Sequence, residues 1–230
     1  MARQTVKPDQ WIVVDDGHDP LAIDSTPECC QYIRRSPSLA DPRHTMILNM
    51  QEAISRIRGD VVIIEDDEYY APEYIETMAD KLKSFELVGI GQSRYYHLPT
   101  GGYYIHRNMN HASLAQTAFR LSFLPHVASV LEGNQWLDIR IWSIVNGSQA
   151  IVSDAKPYEE KRVSGDGRGL IFNDYENPLY CGIKGLPGRK GIGIGHKENT
   201  YPAKDRAREM IKIWIPDDYQ TYLDLLEVKP

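Results

Sequence analysis

Short apolar runs alternate with amphipathic stretches over residues 1–91. Residues 10–15, QWIVVD, are apolar and β-branched and close on Asp-Asp-Gly, which predicts a buried strand running into a turn. QYIR (31–34) predicts a short second strand. Over 44–58, Ile47, Met50, Ile54 and Ile57 recur at helical spacing, and Gly59 follows as a stop. DVVIIEDD (60–67) is a continuous apolar strand that ends in acids. Pro72 opens a second helix, PEYIETMADKLKSF, where a missing N–H is harmless. LVGIG (87–91) is the next strand. Strands that read as buried on both faces, alternating with helices, predict an α/β fold: a mixed, mostly parallel sheet with helices on both faces.

After residue 92 the rhythm changes. RYYHLPTGGYYIHR (94–107) predicts a β-hairpin turning at Gly-Gly. ASLAQTAFR (112–120) reads as a strand, and SFLPHVASVLE (122–132) and NQWLDIRIWSIV (134–145) read as helices. Residues 153–169 are polar and glycine-rich, a loop by composition. GLPGRKGIGIGH (185–196) has five glycines in 12 residues and also reads as a loop. PDDYQTYLDLLE (216–227) has the proline and acids of a helix start. The expectation is a single domain, 1–230, with a first half at 1–91 and a second at 92–230.

Composition narrows the classes. The chain has 230 residues, 42% hydrophobic and 25% charged, as in an ordinary globular domain. No apolar run is long enough to span a bilayer, and the start lacks a signal-peptide pattern. The three cysteines show no CxxC and no zinc spacing, so reduced thiols in a cytoplasmic protein are expected. A net charge of −6 argues against a dedicated nucleic-acid coat, although Lys184, Arg189, Lys190 and Lys197 form a local basic stretch. Fourteen tyrosines against four phenylalanines suit either a wet pocket for sugars or bases, or half-exposed packing.

Two predicted strands end in acids: Asp15-Asp16 and Glu65-Asp66-Asp67-Glu68. In open α/β sheets, ligands bind beyond the carboxyl ends of the strands. Carboxylates gathered there repel one another unless a hard divalent cation such as Mn²⁺ or Mg²⁺ compensates.

QTVKPDQWIVVDDGHDP resembles the stretch Q-T-x-x-P-x-E-I-I-V-V-D-D-G-S-x-D of family 2 glycosyltransferases. LNMQEAISRIRGDVVIIEDDEYYAPEYIETM resembles that family's next block, in which a strand ends in an acidic D-x-D motif before a proline and a helix. The resemblance implies a GT-A fold, a nucleotide-diphospho-sugar donor and a divalent metal. It puts Asp15 and Asp16 near the donor's base and ribose, Asp67 on the metal, and Glu65 in place of the first Asp of D-x-D. Asp66 would then hold the sugar or ribose. The family has a strand and helix before the Q-T-x-x-P stretch, whereas here ten residues precede Trp11.

Beyond residue 92 the chemistry is read from residue types. An inverting sugar transfer needs a base for the acceptor hydroxyl. Asp138 is the candidate, with Glu132 as the alternative. His196, after the glycine-rich stretch, is a candidate metal ligand, and Lys184, Arg189 and Lys197 are candidates to neutralise a diphosphate. His97, His106 and His111 lack zinc-chelate spacing and suit either an acceptor pocket or a plain surface position. The leading expectation is a metal-dependent glycosyltransferase acting on a soluble hydroxyl acceptor, not on a membrane lipid: a saccharide, protein, small molecule or, as in phage DNA modification, a hydroxylated base. The alternatives are a non-catalytic binding domain of the same shape and, third, a nucleotidyltransferase.

Overall fold

A computed structural model describes residues 1–17, 19, 27–42, 45–108, 110–132, 136–146, 161–175, 177–186 and 201–227. It has mixed sheets and helices, an α/β arrangement. The apolar run at the start becomes β1 (Trp11–Asp15), paired in parallel with β2 (Cys30–Arg34) as a two-stranded sheet. Helix α1 (Met46–Ile54) packs on it.

Strands β3 (Val61–Val62), β5 (Leu87–Ile90), β8 (Thr117–Phe119), β9 (Lys161–Val163) and β10 (Gly169–Phe172) form a five-stranded sheet in the order β3-β8-β5-β10-β9. A second sheet, β12-β7-β6-β11-β4, is built from β4 (Tyr69–Tyr70), β6 (Gln92–His97), β7 (Gly102–Arg107), β11 (Tyr180–Lys184) and β12 (Ala203–Lys204). The remaining helices are α2 (Tyr74–Leu82), α3 (Leu124–Ser129), α4 (Leu137–Asn146), α5 (Glu209–Trp214) and α6 (Tyr219–Glu227). Among the described residues, no helix is long and apolar enough to cross a membrane.

Helices do cover both faces of the first five-stranded sheet. On one side Tyr74, Ile75, Met78 and Leu82 of α2 meet Val88, Ile90, Ala118, Leu170 and Phe172. On the other, Val127 of α3 and Leu137, Ile141, Trp142 and Val145 of α4 meet Leu87, Phe119 and Ile171. The alternation along each strand sends side chains to the two cores in turn.

The expected predominance of parallel pairing does not hold. Among the nine described strand pairs, β1/β2, β5/β10 and β6/β11 are parallel and the other six antiparallel. β3 and β5 do run the same way, as a strand–helix–strand unit should, but β8 from the second half lies between them, antiparallel to both. The β6–β7 hairpin adds another antiparallel pair, turning at Gly101, whose φ of 62° falls where glycine is favoured. Residues 161–169, expected as loop, hold β9 and a tight turn, and α5 was not anticipated.

Gly89 in β5 is where sheet and α4 come closest. A Cβ there would lie 2.4 Å from the Ala112 Cβ and 2.7 Å from Trp142 Cζ2. Gly89→Val is therefore expected to lower the thermal midpoint with a loss of about 1–3 kcal/mol or more from overpacking, measurable by circular-dichroism melting.

Candidate functional site

The acidic turn is the seam between the two large sheets. The chain leaves β3 with Ile63, whose N–H still bonds Thr117 O (3.1 Å), and enters β4 on the second sheet at Tyr69. Tyr70 anchors the turn's first residue: its hydroxyl accepts from the Glu65 N–H (2.9 Å) and donates to Ala115 O (3.1 Å). Between these anchors Glu65, Asp67 and Glu68 bring carboxylate oxygens within 4.8 Å of one another.

Glu68 is buried, at 7% exposure, and both its oxygens have donors. Oε2 accepts from the Ile183 N–H (2.6 Å), and Oε1 receives a short contact from Lys184 Nζ. Lys184 is itself only 8% exposed, at the end of β11. Burial works against its charge, but Glu68, Glu65 and Asp67 outweigh that and raise it above the ordinary lysine range. Lys184 was expected to face a diphosphate; instead it is an internal counter-charge beneath the turn. Its ammonium also sits 5.7 Å from the centre of the Tyr95 ring, which stacks on Tyr104 (5.2 Å).

Glu65 is half-buried. Burial pushes its carboxyl up to about 7, with Asp67, Asp66 and Asp138 adding like charge and Lys184 opposing. Asp138, in the first turn of α4, is thus near enough to the acidic turn for its charge to be felt there. It also acts on His111, whose pKa burial lowers and Asp138 partly restores. Asp138 itself accepts from the Ile139 N–H (2.9 Å). The alternative base, Glu132, is exposed.

With Glu68 already engaged, Glu65 and Asp67 are the carboxylates suited to hold a cation. Two protein carboxylates, the rest of the shell being filled by phosphate oxygens and water, is the usual pattern for Mg²⁺. The donor set fits a hard divalent ion. Asp66 is exposed at the tip of the turn.

Asp15 and Asp16 do not join this cluster. Asp15 accepts from the Gly17 N–H (2.9 Å) and the Tyr32 hydroxyl (2.6 Å) and pairs with Arg34 (3.1 Å). Asp16 pairs with Arg35 (2.7 Å), which also reaches Asp41 (2.6 Å) and Asn49 (2.7 Å). Burial would raise Asp16, but hydrogen bonds from Thr45, Arg35 and Asn49 outweigh it and hold its carboxyl low. The expectation that acids from two strand ends converge on one cation is corrected here. The described cluster comes from one turn, because Arg34 at the end of β2 and Arg35 just after it answer the charges at the end of β1.

His97 is buried, with Nδ1 2.9 Å from Thr100 Oγ1, and serves the hairpin. His106 is exposed, its ring edge-on to Tyr104. Arg189, Lys190, His196 and Lys197 lie outside the described residues. Sequence reasoning missed the pairing of Glu68 with Lys184. The signal was the short apolar run LYCGI (179–183), which marks a buried strand leading into Lys184.

A scan against known protein families finds none that matches this chain, and a comparison with curated proteins finds no relative.

Two outcomes follow from the charges. Because folding raises the Glu65 pKa, its contribution to stability is full below about 4.5 and is lost as pH rises through about 7. Without divalent ions, Glu65→Gln should therefore match the wild type near pH 4.5 and exceed it at pH 8, by about 1–3 kcal/mol; urea unfolding at both pH values measures this. Lys184→Met strands Glu68 and should cost about 3–5 kcal/mol, read from the same titration at pH 8.

Proposed function

We propose that the chain is a metal-dependent glycosyltransferase of GT-A type, moving a sugar from a nucleotide-diphospho-sugar to a hydroxyl. The observation that carries this reading is the Glu65–Asp67–Glu68 cluster at the sheet seam, with Asp138 in electrostatic range. The resemblance of residues 4–20 and 48–78 to two family 2 glycosyltransferase blocks supports it.

In an inverting transfer, the Asp138 carboxylate takes the proton of the acceptor hydroxyl. The hydroxyl oxygen bonds to the anomeric carbon of the donor. The bond from that carbon to the phosphate oxygen breaks, and its electron pair leaves with the nucleoside diphosphate. A divalent ion held by Glu65 and Asp67 would stabilise the charge of that leaving group. Tyr70 and the Glu68–Lys184 pair fix the turn so that the two carboxylates are preset.

One observation favours a second reading, a non-catalytic binding domain. Among the described residues β1 pairs only with β2, and Asp15 and Asp16 are engaged by arginines, so the first sheet stands apart from β3. Calorimetry with UDP separates the two. The transferase reading expects binding that depends on Mn²⁺ and weakens at least about tenfold, 1.4 kcal/mol, in Asp67→Asn, with far-UV circular dichroism unchanged. Binding indifferent to Mn²⁺ and to Asp67→Asn rules out the metal-dependent reading.

A further inference from the structure

Trp136 is the least typical aromatic residue of the chain. It is 67% exposed, whereas Trp142 and Trp214 are buried and Trp11 half-buried. Its φ is 57°, one of two described non-glycine residues in the left-handed region. That conformation costs a bulky L-residue roughly 1–2 kcal/mol, and such residues concentrate at ligand clamps and active sites. It immediately precedes α4, two residues before Asp138. One turn on, Ile139 is 46% exposed, so the start of α4 presents an apolar patch beside the candidate base.

An exposed indole is a flat apolar face with an N–H at its rim, fitted to a ring that is apolar on one side and hydroxylated at its edge. The charge nearby selects among such rings. Glu65 and Asp67, clustered in the turn, exposed Asp66 and the neighbouring Asp138 make these surroundings acidic, with Lys184 committed to Glu68. Before a donor and a cation arrive, that acidity repels phosphate and carboxylate groups. A neutral pyranose is not repelled, and stacking on Trp136 would bring its hydroxyls near Asp138.

We infer that Trp136 seats the acceptor and that the acceptor is a neutral saccharide. This rests on the transferase reading, in which Asp138 is the base, but its test needs neither donor nor metal, so the two fail separately. The intact chain is titrated with maltotriose, cellotriose and chitotriose while tryptophan emission is followed, and with a single-stranded DNA oligonucleotide as the anionic ring-bearing probe. At least one neutral trisaccharide shifts the emission to shorter wavelength, and the DNA does not. By calorimetry, Trp136→Phe keeps most of that affinity and Trp136→Ala loses about tenfold. The inference is overturned if no trisaccharide binds, if binding survives Trp136→Ala, or if the DNA binds in their place. It is equally overturned if Trp136→Ala abolishes self-association of the wild type in sedimentation, since the indole then serves a second copy of the chain.

Discussion

Glu68 can be buried only because Lys184 is buried with it. Glu68 ends the turn that carries the chain from β3 to β4, and Lys184 ends β11, the strand that pairs with β4. Removing two charges from water is costly, and the contact regains that cost only when the remaining lone pairs are also satisfied. The Ile183 N–H does this for the other Glu68 oxygen. A second buried pair repeats the device where β10 leads to β11. Asp174, after β10, accepts from Arg94 of β6 (2.6 Å) and from the Leu179 N–H (2.7 Å). The connections β3–β4 and β10–β11 are therefore each pinned by an acid on the connection and a cation on the second sheet.

Tyrosine completes this framework. The excess of tyrosine left a wet pocket and packing both open, and six of the thirteen described tyrosines are taken up in buried packing. Tyr69, Tyr70, Tyr74, Tyr96, Tyr180 and Tyr201 are buried. Several use the hydroxyl as a cross-link: Tyr74 to Ala115 O (3.1 Å), Tyr96 to Asp205 (3.0 Å) and Tyr69 to Asp217. A phenylalanine would fill the same space without holding the neighbouring chain. At Tyr70 the difference bears on the site, since its hydroxyl fixes the Glu65 backbone.

Local pattern made part of this legible. QWIVVD, LVGIG and the two helices flanking the acidic turn follow from apolar spacing and stop signals, and they appear where expected as β1, β5, α1 and α2. The acids after β3 stood out because like charges side by side demand a reason. Sheet order was not legible. Nothing in TAF (117–119) says that it will lie between β3 and β5, because that depends on contacts far apart in sequence. The partners of Asp15 and Asp16 were hidden for the same reason: Arg34 and Arg35 reach them only once β1 and β2 pair in parallel with Asp15 opposite Arg34. Lys184 reads as part of a basic stretch because Arg189, Lys190 and Lys197 follow it closely in sequence, whereas its partner Glu68 is 116 positions away.

The location of the acidic turn has a chemical consequence. A loop bearing carboxylates would relax away from their repulsion, spreading them into solvent. Here the turn is held at Ile63, at Glu65 through Tyr70, and at Glu68 through β11, so the carboxylates cannot spread, and their like charge adds to the burial that raises the Glu65 carboxyl. Groups held against their own repulsion need little rearrangement when a compensating charge arrives, which is what preorganisation means for an electrostatic site. The same rigidity makes the site dependent on distant packing. A change at Ala115 or Lys184 would alter Glu65 and Asp67 without touching them, because Ala115 O holds Tyr70 and Lys184 holds Glu68.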